Sequence, residues 1–371
     1  MVGGKKKVLL VTPNYNGTKS WMQCAIITAR NLVEAGFDVF VLTSNTEKQL
    51  ECEVKDGVKV HRVSGFLLPD PINMSVPNVF VFWKKLKEIK VDVVIVNKTW
   101  FLTSLIASIF CIIYDKEYYV QLDTMVGKIW FSQSKLMNAA MWVYARTVNR
   151  FILNGAKKCI IYHSGLVPVM KEWKLKYEII SQGVDYEKFA NARPCQDVLN
   201  FKKGRTCFLF VGRLDEIKRW REYIDVCKKI KDSCFVFVTG AKHPEIQEKL
   251  KKELPDNFLL LGYRKDVANI MRACDVFVLP SKCEGNPDVL MEAQSAGLAC
   301  ISSNIPNSGV QDLIKNRFSG LLFNDWKELK QQMEQLRDYK GCRSFLAFNA
   351  QENVKLDDNE MVKKKLIKLF S

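Results

Sequence analysis

The chain has 371 residues, which exceeds one ordinary hydrophobic core and suits two domains of about 150 to 200 residues each. Its composition, 48% hydrophobic and 26% charged, is that of a globular protein and excludes a largely disordered one. The formal net charge of +16 indicates an anionic partner, such as a lipid head group, a phosphorylated acceptor or nucleic acid.

Twelve cysteines stand singly, without a C-x-x-C pair, many of them inside apolar runs. This distribution argues against a disulfide framework and predicts small buried side chains in a reducing compartment. The start, MVGGKKKVLLVT, has a short apolar run without a cleavage site, so we predict a first β-strand rather than a signal peptide. The longest apolar stretch, Trp100 to Tyr114, is shorter than the about 20 residues of a membrane span and predicts a buried helix. We therefore expect a cytoplasmic protein, free or peripheral on the cytoplasmic face of a membrane.

Short β-rich apolar runs alternate with helical patterns along nearly the whole chain, which predicts parallel sheets covered by helices on both faces. In the first half the predicted strands are KVLLVT, DVFVLT, VKVHRV, DVVIVN, YYVQL and KCIIY. In the second half they are TCFLFV, CFVFVT, NFLLL, DVFVLP, LACIS and GLLF. The segment 185–205 lacks periodicity, and the closing NEMVKKKLIKLF predicts an amphipathic helix. We predict an N-terminal domain over 1–190, on which a helix at about 350–371 packs, and a C-terminal domain over 191–349.

A strand-to-helix turn, SKCEGNPDVLMEAQSAG at 281–297, carries two acids on either side of a proline. Asn286 is a favoured N-cap and Pro287 suits the first helical position, so we predict a helix that starts at Pro287 and whose free N–H groups favour a phosphate. Glu292 would lie about 9 Å along the helix axis from Asn286. Glu284 and Glu292 could then bind hydroxyls at opposite ends of a nucleotide sugar. Taken alone, the spacing favours the alternative, in which Glu292 forms an ion pair on a solvated helix face and Glu284 is an ordinary loop residue.

Two further strand ends offer groups that suit a nucleotide. In FLFVGRLDEIKRW, Arg213 and Lys218 follow the strand and can converge on one diphosphate, the arginine through two parallel hydrogen bonds and the lysine as a point charge. The alternative is an ion pair with one of the two acids between them. In LLLGYRKD, Gly262 and Tyr263 stand where exposed backbone could contact a base.

The order V-G-R-L-x-x-x-K, L-G-Y, A-C-D-V-F-V-L-P-S, E-G-N-P-x-V-L-M-E-A and a later A-G-L resembles the family 4 glycosyltransferases, retaining enzymes of the GT-B fold. The resemblance covers nearly all of 205–325. It implies an α/β fold with two Rossmann-like doubly wound domains facing a central cleft. It also implies hexose transfer from a nucleoside diphosphate sugar to a saccharide or lipid-linked acceptor in glycan or polysaccharide synthesis. A UDP-sugar is the favoured donor, and GDP-mannose is the alternative.

By this resemblance, Arg213 and Lys218 bind the donor diphosphate, Glu292 binds the ribose, and Glu284 lies beside the donor sugar. The other implied donor-binding positions are Gly17, Gly212, Tyr263, Arg264, Gly285, Asn286, Pro287, Asp288, Val289 and Leu290. The resemblance implies no metal and no other cofactor, because Arg213, Lys218 and the helix dipole would supply the positive charge.

The first half of the chain carries one predicted catalytic residue. YYVQLDTM resembles the strand end at which many family members have a histidine beside the reacting carbon, and Asp123 takes that place here. An acid there could accept the proton of the acceptor hydroxyl or stabilise positive charge at the reacting carbon, and a loop cap is the alternative. With Asp123, the predicted catalytic residues are Glu284, Arg213 and Lys218. None of the three histidines is assigned a role.

The stretch 124–177 contains nine basic residues and a single acid. Its central part has helical apolar spacing and also carries Trp142, Arg146 and Arg150; the apolar positions are Leu136, Ala139, Ala140, Val143, Thr147 and Phe151. A basic amphipathic surface of this kind can bind anionic lipid, each basic residue near the membrane contributing about 1 kcal/mol. We predict an anionic membrane surface as a partner, and a solvated helix face over an ordinary core is the alternative.

Other functions fit parts of the sequence. A nucleotide-sugar epimerase or a phosphorylase would share the fold, although no motif for a pyridoxal lysine is visible. A basic nucleic-acid-binding protein would fit the charge, but no known module with stacking aromatics is visible. The predicted phosphate-binding turns also lie outside the most basic stretch. We therefore expect a metal-independent retaining hexosyltransferase that binds no nucleic acid.

Overall fold

The structure is a computed structural model that describes residues 5–15, 23–68, 74–128, 134–240 and 244–370. The chain divides into two compact units, of which the first contains Met1–Gly183 and Asn359–Ser371 and the second contains Val184–Asp358. The segment 185–205, which lacks periodicity and contains the predicted domain boundary after residue 190, forms two short helices in the second unit, and the units divide between Gly183 and Val184. Of the predicted return segment at about 350–371, only the part from Asn359 onwards belongs to the first unit, because the preceding helix packs in the core of the second.

Nine strands of the described residues form the sheet of the first unit: β1 (Lys7–Val11), β2 (Asp38–Asn45), β3 (Cys52–Lys55), β4 (Val58–Leu67), β5 (Ser75–Pro77), β6 (Val93–Asn97), β7 (Tyr118–Leu122), β8 (Lys158–Ile161) and β9 (Tyr177–Ile179). Their order is β3-β4-β2-β1-β6-β7-β8-β9, with β5 paired to β4. β3 and β5 run antiparallel to β4, and the other pairs are parallel. The six strands predicted in this half are confirmed. β3, β5 and β9 were not predicted, because none of them contains the continuous apolar run that marks the other strands.

Helices cover both faces of this sheet: α1 (Gln23–Glu34), α2 (Val79–Glu88), α3 (Leu102–Ile113), α4 (Lys135–Tyr144), α5 (Arg150–Gly155), α6 (Val167–Glu172) and α16 (Asn359–Phe370). Side chains alternate along β1, so that Leu9 and Val11 pack with α2, α3 and α5, whereas Val8 and Leu10 pack with α1 and α16. The predicted terminal helix is present as α16. In the parts of the chain that the structure describes, we find no helix of sufficient length and apolarity to cross a membrane.

Residues 135–155 form one continuous helix, in which α4 and α5 are joined by a π-helical turn at Ala145–Asn149. Its buried side is formed by Met141, Ala145, Ile152 and Leu153. The apolar stripe identified in the sequence lies on the other side, as shown by Leu136 (84% exposed) and by the exposed side chains of Val143 and Phe151. The helix therefore presents apolar and basic side chains together to solvent.

Within its described residues, the second unit contains six parallel strands: β10 (Thr206–Gly212), β11 (Ser233–Thr239), β12 (Phe258–Gly262), β13 (Val276–Leu279), β14 (Ala299–Ser303) and β15 (Leu321–Phe323). All six were predicted, and their order is β12-β11-β10-β13-β14-β15. The helices are α7 (Tyr186–Ala190), α8 (Gln196–Lys202), α9 (Trp220–Cys227), α10 (Pro244–Glu253), α11 (Val267–Ala273), α12 (Asp288–Ser295), α13 (Val310–Leu313), α14 (Trp326–Asp338) and α15 (Lys340–Val354).

Buried phenylalanine rings pack against one another between two neighbouring strands of the second unit's sheet. Phe208 and Phe210 on β10 face Phe235 and Phe237 on β11 in register, with ring centroids 5.8 and 5.3 Å apart. All four rings are fully buried, which contributes about 2 to 3 kcal/mol each. Eight of the twelve cysteines are buried, as predicted, and Cys52 is exposed.

Candidate active site

Both sheets have a point at which the strand order reverses, and in such sheets ligands bind outside the carboxyl ends of the strands at that point. In the second unit the order reverses between β10 and β13, and in the first between β1 and β6. The turn 281–287 follows β13, and Arg213 follows β10. The topology therefore brings these two predicted phosphate-binding segments to the same edge of one sheet.

The helix after the turn begins one residue later than predicted. Pro287 is the N-cap, with extended backbone and no capping bond from its side chain, and α12 starts at Asp288. The prediction that Asn286 caps the helix is wrong, because the helical conformation is not reached until after Pro287. The Asn286 amide instead lies 3.9 Å from the sulfur of Met291. The Leu290 N–H, predicted to face a phosphate, donates to the Pro287 carbonyl at 3.0 Å.

Backbone hydrogen bonds hold this turn on both sides. The Lys282 N–H donates to the carbonyl of Ile217 at 2.7 Å, which ties the turn to the loop after β10. The Gly309 N–H donates to the carbonyl of Gly285 at 2.7 Å. A Cβ at Gly309 would lie 2.4 Å from Oδ1 of Asn286, so this close approach requires glycine. The turn is thus rigidly positioned by two neighbouring loops.

Lys218 and Glu284 form an ion pair across these loops. Lys218 Nζ lies 2.6 Å from Glu284 Oε1, and their side chains are only 15% and 12% exposed. Lys218 ends a short 3₁₀ turn, Glu216–Lys218, and Asp215 caps that turn through the Lys218 N–H. Two of the predicted catalytic residues are therefore in direct contact, although 66 residues separate them in sequence.

Arg213 forms the local ion pair that the sequence analysis left as an alternative. Its guanidinium lies 3.0 Å from Asp215 Oδ2. The arginine side chain is about half exposed, and such a pair stabilises the fold by about 0 to 1 kcal/mol. A Cβ at Gly240, which follows β11, would lie 3.5 Å from Arg213 Cγ, and a Cβ at Gly212 would lie 3.7 Å from Lys218 Cδ. An anion could displace Asp215 from Arg213 with little loss of stability.

Glu292 lies one helical turn after Asp288 on α12 and is partly buried. The pKa of its carboxyl is raised to about 7, chiefly by burial and also by the Asp288 carboxylate, while the Lys188 ammonium acts in the opposite direction. The carboxyl therefore changes its charge near neutral pH. A buried acid with such a pKa is typical of ligand-binding sites.

Tyr263 and Arg264 follow β12, which lies two strands from β10 at the edge of the sheet. Tyr263 is exposed. Arg264 binds both oxygens of Asp266, at 2.7 and 2.6 Å, and lowers the pKa of that carboxyl. The predicted donor-binding role of Arg264 would therefore require it to exchange this partner.

In the first unit, Asp123 follows β7 and is held by two residues to which the sequence analysis gave no role. Its carboxylate lies 2.6 Å from Lys98 Nζ, and the two side chains are 21% and 14% exposed. Its carbonyl oxygen lies 2.8 Å from Nε2 of the buried His163. Lys98 directly follows the predicted strand DVVIVN, a position that could have marked it as a candidate. Gly17 lies outside the described residues.

The backbone of Lys98 is strained and tightly held. Its φ of +61° lies in the left-handed region, which costs a non-glycine residue on the order of 1 to 3 kcal/mol. Its N–H donates to the carbonyl of Gln121 at 2.9 Å, and its carbonyl accepts from the buried Ser104 hydroxyl at 2.5 Å. These bonds fix the backbone position from which the Lys98 side chain reaches Asp123. Strain of this kind at the reversal point of a sheet is typical of functional sites.

Two family models match the chain. Residues 24–188 match "Glycosyltransferase Family 4", and residues 194–351 match "Glycosyl transferases group 1". Among solved structures, sucrose-phosphate synthase from Thermosynechococcus elongatus has a TM-score of 0.80 at 16% identity, covering 99% of this chain and 98% of that one. HepE from Anabaena in complex with UDP-glucose has a TM-score of 0.74 at 15% identity, covering 98% of each chain. These similarities show the GT-B fold.

Several curated relatives match part of the chain, and two of them illustrate the similarity. A UDP-Gal:α-D-GlcNAc-diphosphoundecaprenol α-1,3-galactosyltransferase from Escherichia coli is 41% identical over 164 residues, which cover 40% of this chain and 41% of the relative. An N,N'-diacetylbacillosaminyl-diphospho-undecaprenol α-1,3-N-acetylgalactosaminyltransferase from Campylobacter jejuni is 28% identical over 175 residues, 46% of each protein. The chain thus matches less than half the length of these curated relatives.

Proposed function

Because the chain belongs to glycosyltransferase family 4, we propose that it transfers a hexose from a nucleoside diphosphate sugar, with a UDP-sugar as the donor, to a saccharide or lipid-linked acceptor. The observation that carries this proposal is the Lys218–Glu284 pair, which lies where the strand order reverses beside the start of α12. The E. coli relative is named for a UDP-galactose donor and a diphosphoundecaprenol acceptor, which supports both choices. The reaction would serve glycan or polysaccharide synthesis.

In the proposed donor site, Arg213 and Lys218 neutralise the diphosphate that leaves. Arg213 can exchange the exposed Asp215 for a phosphate, and Lys218 stands between the phosphates and Glu284. Fixed positive groups stabilise developing charge on a leaving phosphate without a metal ion. Glu292 accepts hydrogen bonds from the ribose hydroxyls, and Glu284 lies beside the sugar. The other predicted donor positions, including Gly212, Tyr263, Arg264 and 285–290, line this site.

In the proposed acceptor site, Asp123 acts on the hydroxyl that attacks the sugar. Lys98 and His163 hold its carboxylate and its backbone from two sides. A carboxylate so placed can accept the proton of the acceptor or stabilise positive charge at the reacting carbon. We propose retention of the anomeric configuration, with the acceptor attacking on the side from which the diphosphate leaves.

The membrane partner is proposed from the exposed side of the helix 135–155. Leu136, Trp142, Val143 and Phe151 are exposed there, and Arg146 lies over the Trp142 ring at 3.9 Å. Apolar side chains interleaved with basic ones bind the interface of an anionic bilayer. This contact would place the protein peripherally on a membrane that carries a lipid-linked acceptor.

The donor proposal is tested by thermal shift with UDP-, GDP- and ADP-sugars in the presence of EDTA. We expect one UDP-sugar to stabilise the wild type, Glu292→Ala to lose this stabilisation, and the exposed helix variant Glu222→Ala to keep it. NMR of the product then reports the anomeric configuration. Stabilisation that requires a divalent ion would contradict metal independence, and an inverted product would contradict retention.

A further inference from the structure

One cavity in the described residues of the first unit lies far from Asp123. Its volume is about 550 Å³, and it opens at the amino-terminal ends of β7, β8 and β9. Asp123 lies at the opposite edge, because Glu117 before β7 and Asp123 after it are separated by about 20 Å at 3.3 Å per residue. A ligand in this cavity would therefore not be the sugar-bearing end of the acceptor.

Four lysines line the cavity: Lys116, Lys157, Lys174 and Lys176. Two acids also line it, Asp115 and Glu117, so its lining carries an excess of two positive charges. Lys157 lies 2.6 Å from Glu117. Among the residues that the structure describes, no ion pair joins the other three lysines to an acid. The cavity therefore attracts an anion.

The backbone holds these lysines in place. The Lys157 N–H donates to the carbonyl of Tyr118 at 2.8 Å, and the Lys176 carbonyl accepts from Cys159 at 2.8 Å. Lys174 has a φ of +55° and donates its N–H to Lys171 at 3.1 Å. Side chains that start from fixed backbone positions lose less freedom when they converge on one ligand.

Apolar side chains border the cavity on the side of α3. Ile112 lines it, and Ile113, with 62% exposure, and Tyr114 are exposed beside it. Leu153, Asn154 and Gly155, in the last turn of α5, also line the cavity. A ligand that contacts both the lysines and these apolar side chains has a phosphate next to a hydrocarbon chain.

We propose that this cavity binds the phosphate head group of an anionic phospholipid while Ile112 and Ile113 contact its acyl region. The inference rests on the membrane contact proposed above and gives it a defined site. The chemistry recognised is a phosphate ester, whose source is the lipid bilayer rather than a soluble metabolite. Nucleic acid fits less well, because the border is aliphatic.

The test compares two double variants with the same change of charge. Lys174→Gln/Lys176→Gln removes two cavity lysines, and Lys364→Gln/Lys368→Gln removes two exposed lysines of α16, which packs on the other face of the sheet. Partitioning is measured by co-sedimentation with phosphatidylcholine vesicles, with and without phosphatidylglycerol. We expect the cavity variant to bind the anionic vesicles about 30-fold more weakly, at about fivefold for each lysine near the surface. The α16 variant should change by less than about twofold, because its two lysines do not line the cavity.

A third variant and a soluble probe identify the source of the phosphate. Ile113→Ser, at an exposed position, should weaken vesicle binding and leave the thermal stability unchanged. Equal losses in the two lysine variants would overturn the proposal, since they would reflect general charge attraction. If glycerol phosphate stabilises the protein in a way that requires the cavity lysines, but vesicle binding does not depend on those lysines, then the cavity binds a soluble phosphate ester and the proposal of a lipid ligand is refuted. Vesicle binding does not require catalysis. If the protein transferred no sugar, the proposed function would be refuted, and the vesicle experiment would still test whether the cavity binds lipid.

Discussion

Replacement of Glu292 by glutamine should make the protein more stable above neutral pH and impair donor binding. The pKa of this carboxyl is about 7 in the folded protein, against 4.5 for an ordinary glutamate. Below pH 4.5 the group is neutral in both states, so the substitution has little effect there. As the pH rises to about 7, the unfolded chain ionises while the folded one keeps its proton, and the wild type loses stability.

The size of this loss follows from the shift in pKa. At 1.36 kcal/mol per unit, a rise from 4.5 to about 7 corresponds to about 3 kcal/mol as an upper limit, because the carboxyl keeps some contact with solvent. For a unit of this size, 3 kcal/mol corresponds to about 6 to 12 °C in melting temperature. Glutamine carries no ionisable proton and avoids the loss.

The assay is thermal unfolding of wild type and Glu292→Gln without ligand, at pH values from 5 to 8.5. We expect the variant to melt higher at pH 8, with a difference that shrinks towards pH 5. The same samples with a UDP-sugar should show strong stabilisation of the wild type and weak stabilisation of the variant. A difference that does not depend on pH, or a variant less stable at pH 8, would refute this reasoning about burial.

Donor affinity should itself depend on pH, because the ribose hydroxyls bind the ionised Glu292 better than the protonated form. Titration calorimetry should show weaker UDP-sugar binding as the pH falls through about 7, and an affinity that does not change with pH would contradict this role of Glu292. Lys98→Met should lower turnover about 100-fold with unchanged donor binding, because it leaves Asp123 without its cation, whereas Lys98→Arg should keep part of the rate. Equal turnover of Lys98→Met and wild type would contradict the catalytic role of Asp123. Gly309→Ala should weaken donor binding about tenfold by displacing Asn286, whereas Gly341→Ala, in open space on α15, should leave it unchanged. Titration of both variants with a UDP-sugar measures this difference, and equal affinities would contradict the role of Gly309. Lys218→Met should destabilise the second unit by about 3 kcal/mol, because it leaves Glu284 unpaired, and combining it with Glu284→Gln should recover most of that loss in denaturant unfolding.

Local periodicity determined much of the fold. The twelve predicted strands are all present, because runs such as CFVFVT are apolar on both sides and can only be buried in a sheet covered on both faces. The terminal helix follows from the 3.6-residue spacing of its apolar positions. The motif around Glu284 and Pro287 marked the proposed donor site, since glycine, proline and helix-start residues act through local geometry.

The tertiary structure decided which groups meet and which sides face solvent. The pairs Lys98–Asp123, His163–Asp123 and Lys218–Glu284 join residues 25, 40 and 66 positions apart, and strand order rather than local pattern brings them together. The sequence by itself showed an apolar stripe on the helix 135–155, but only packing showed that Met141 and Ala145 are buried while Leu136 is exposed. The spacing in the sequence determines which residues share a side of a helix or strand. Whether that side is buried depends on which other parts of the chain pack against it.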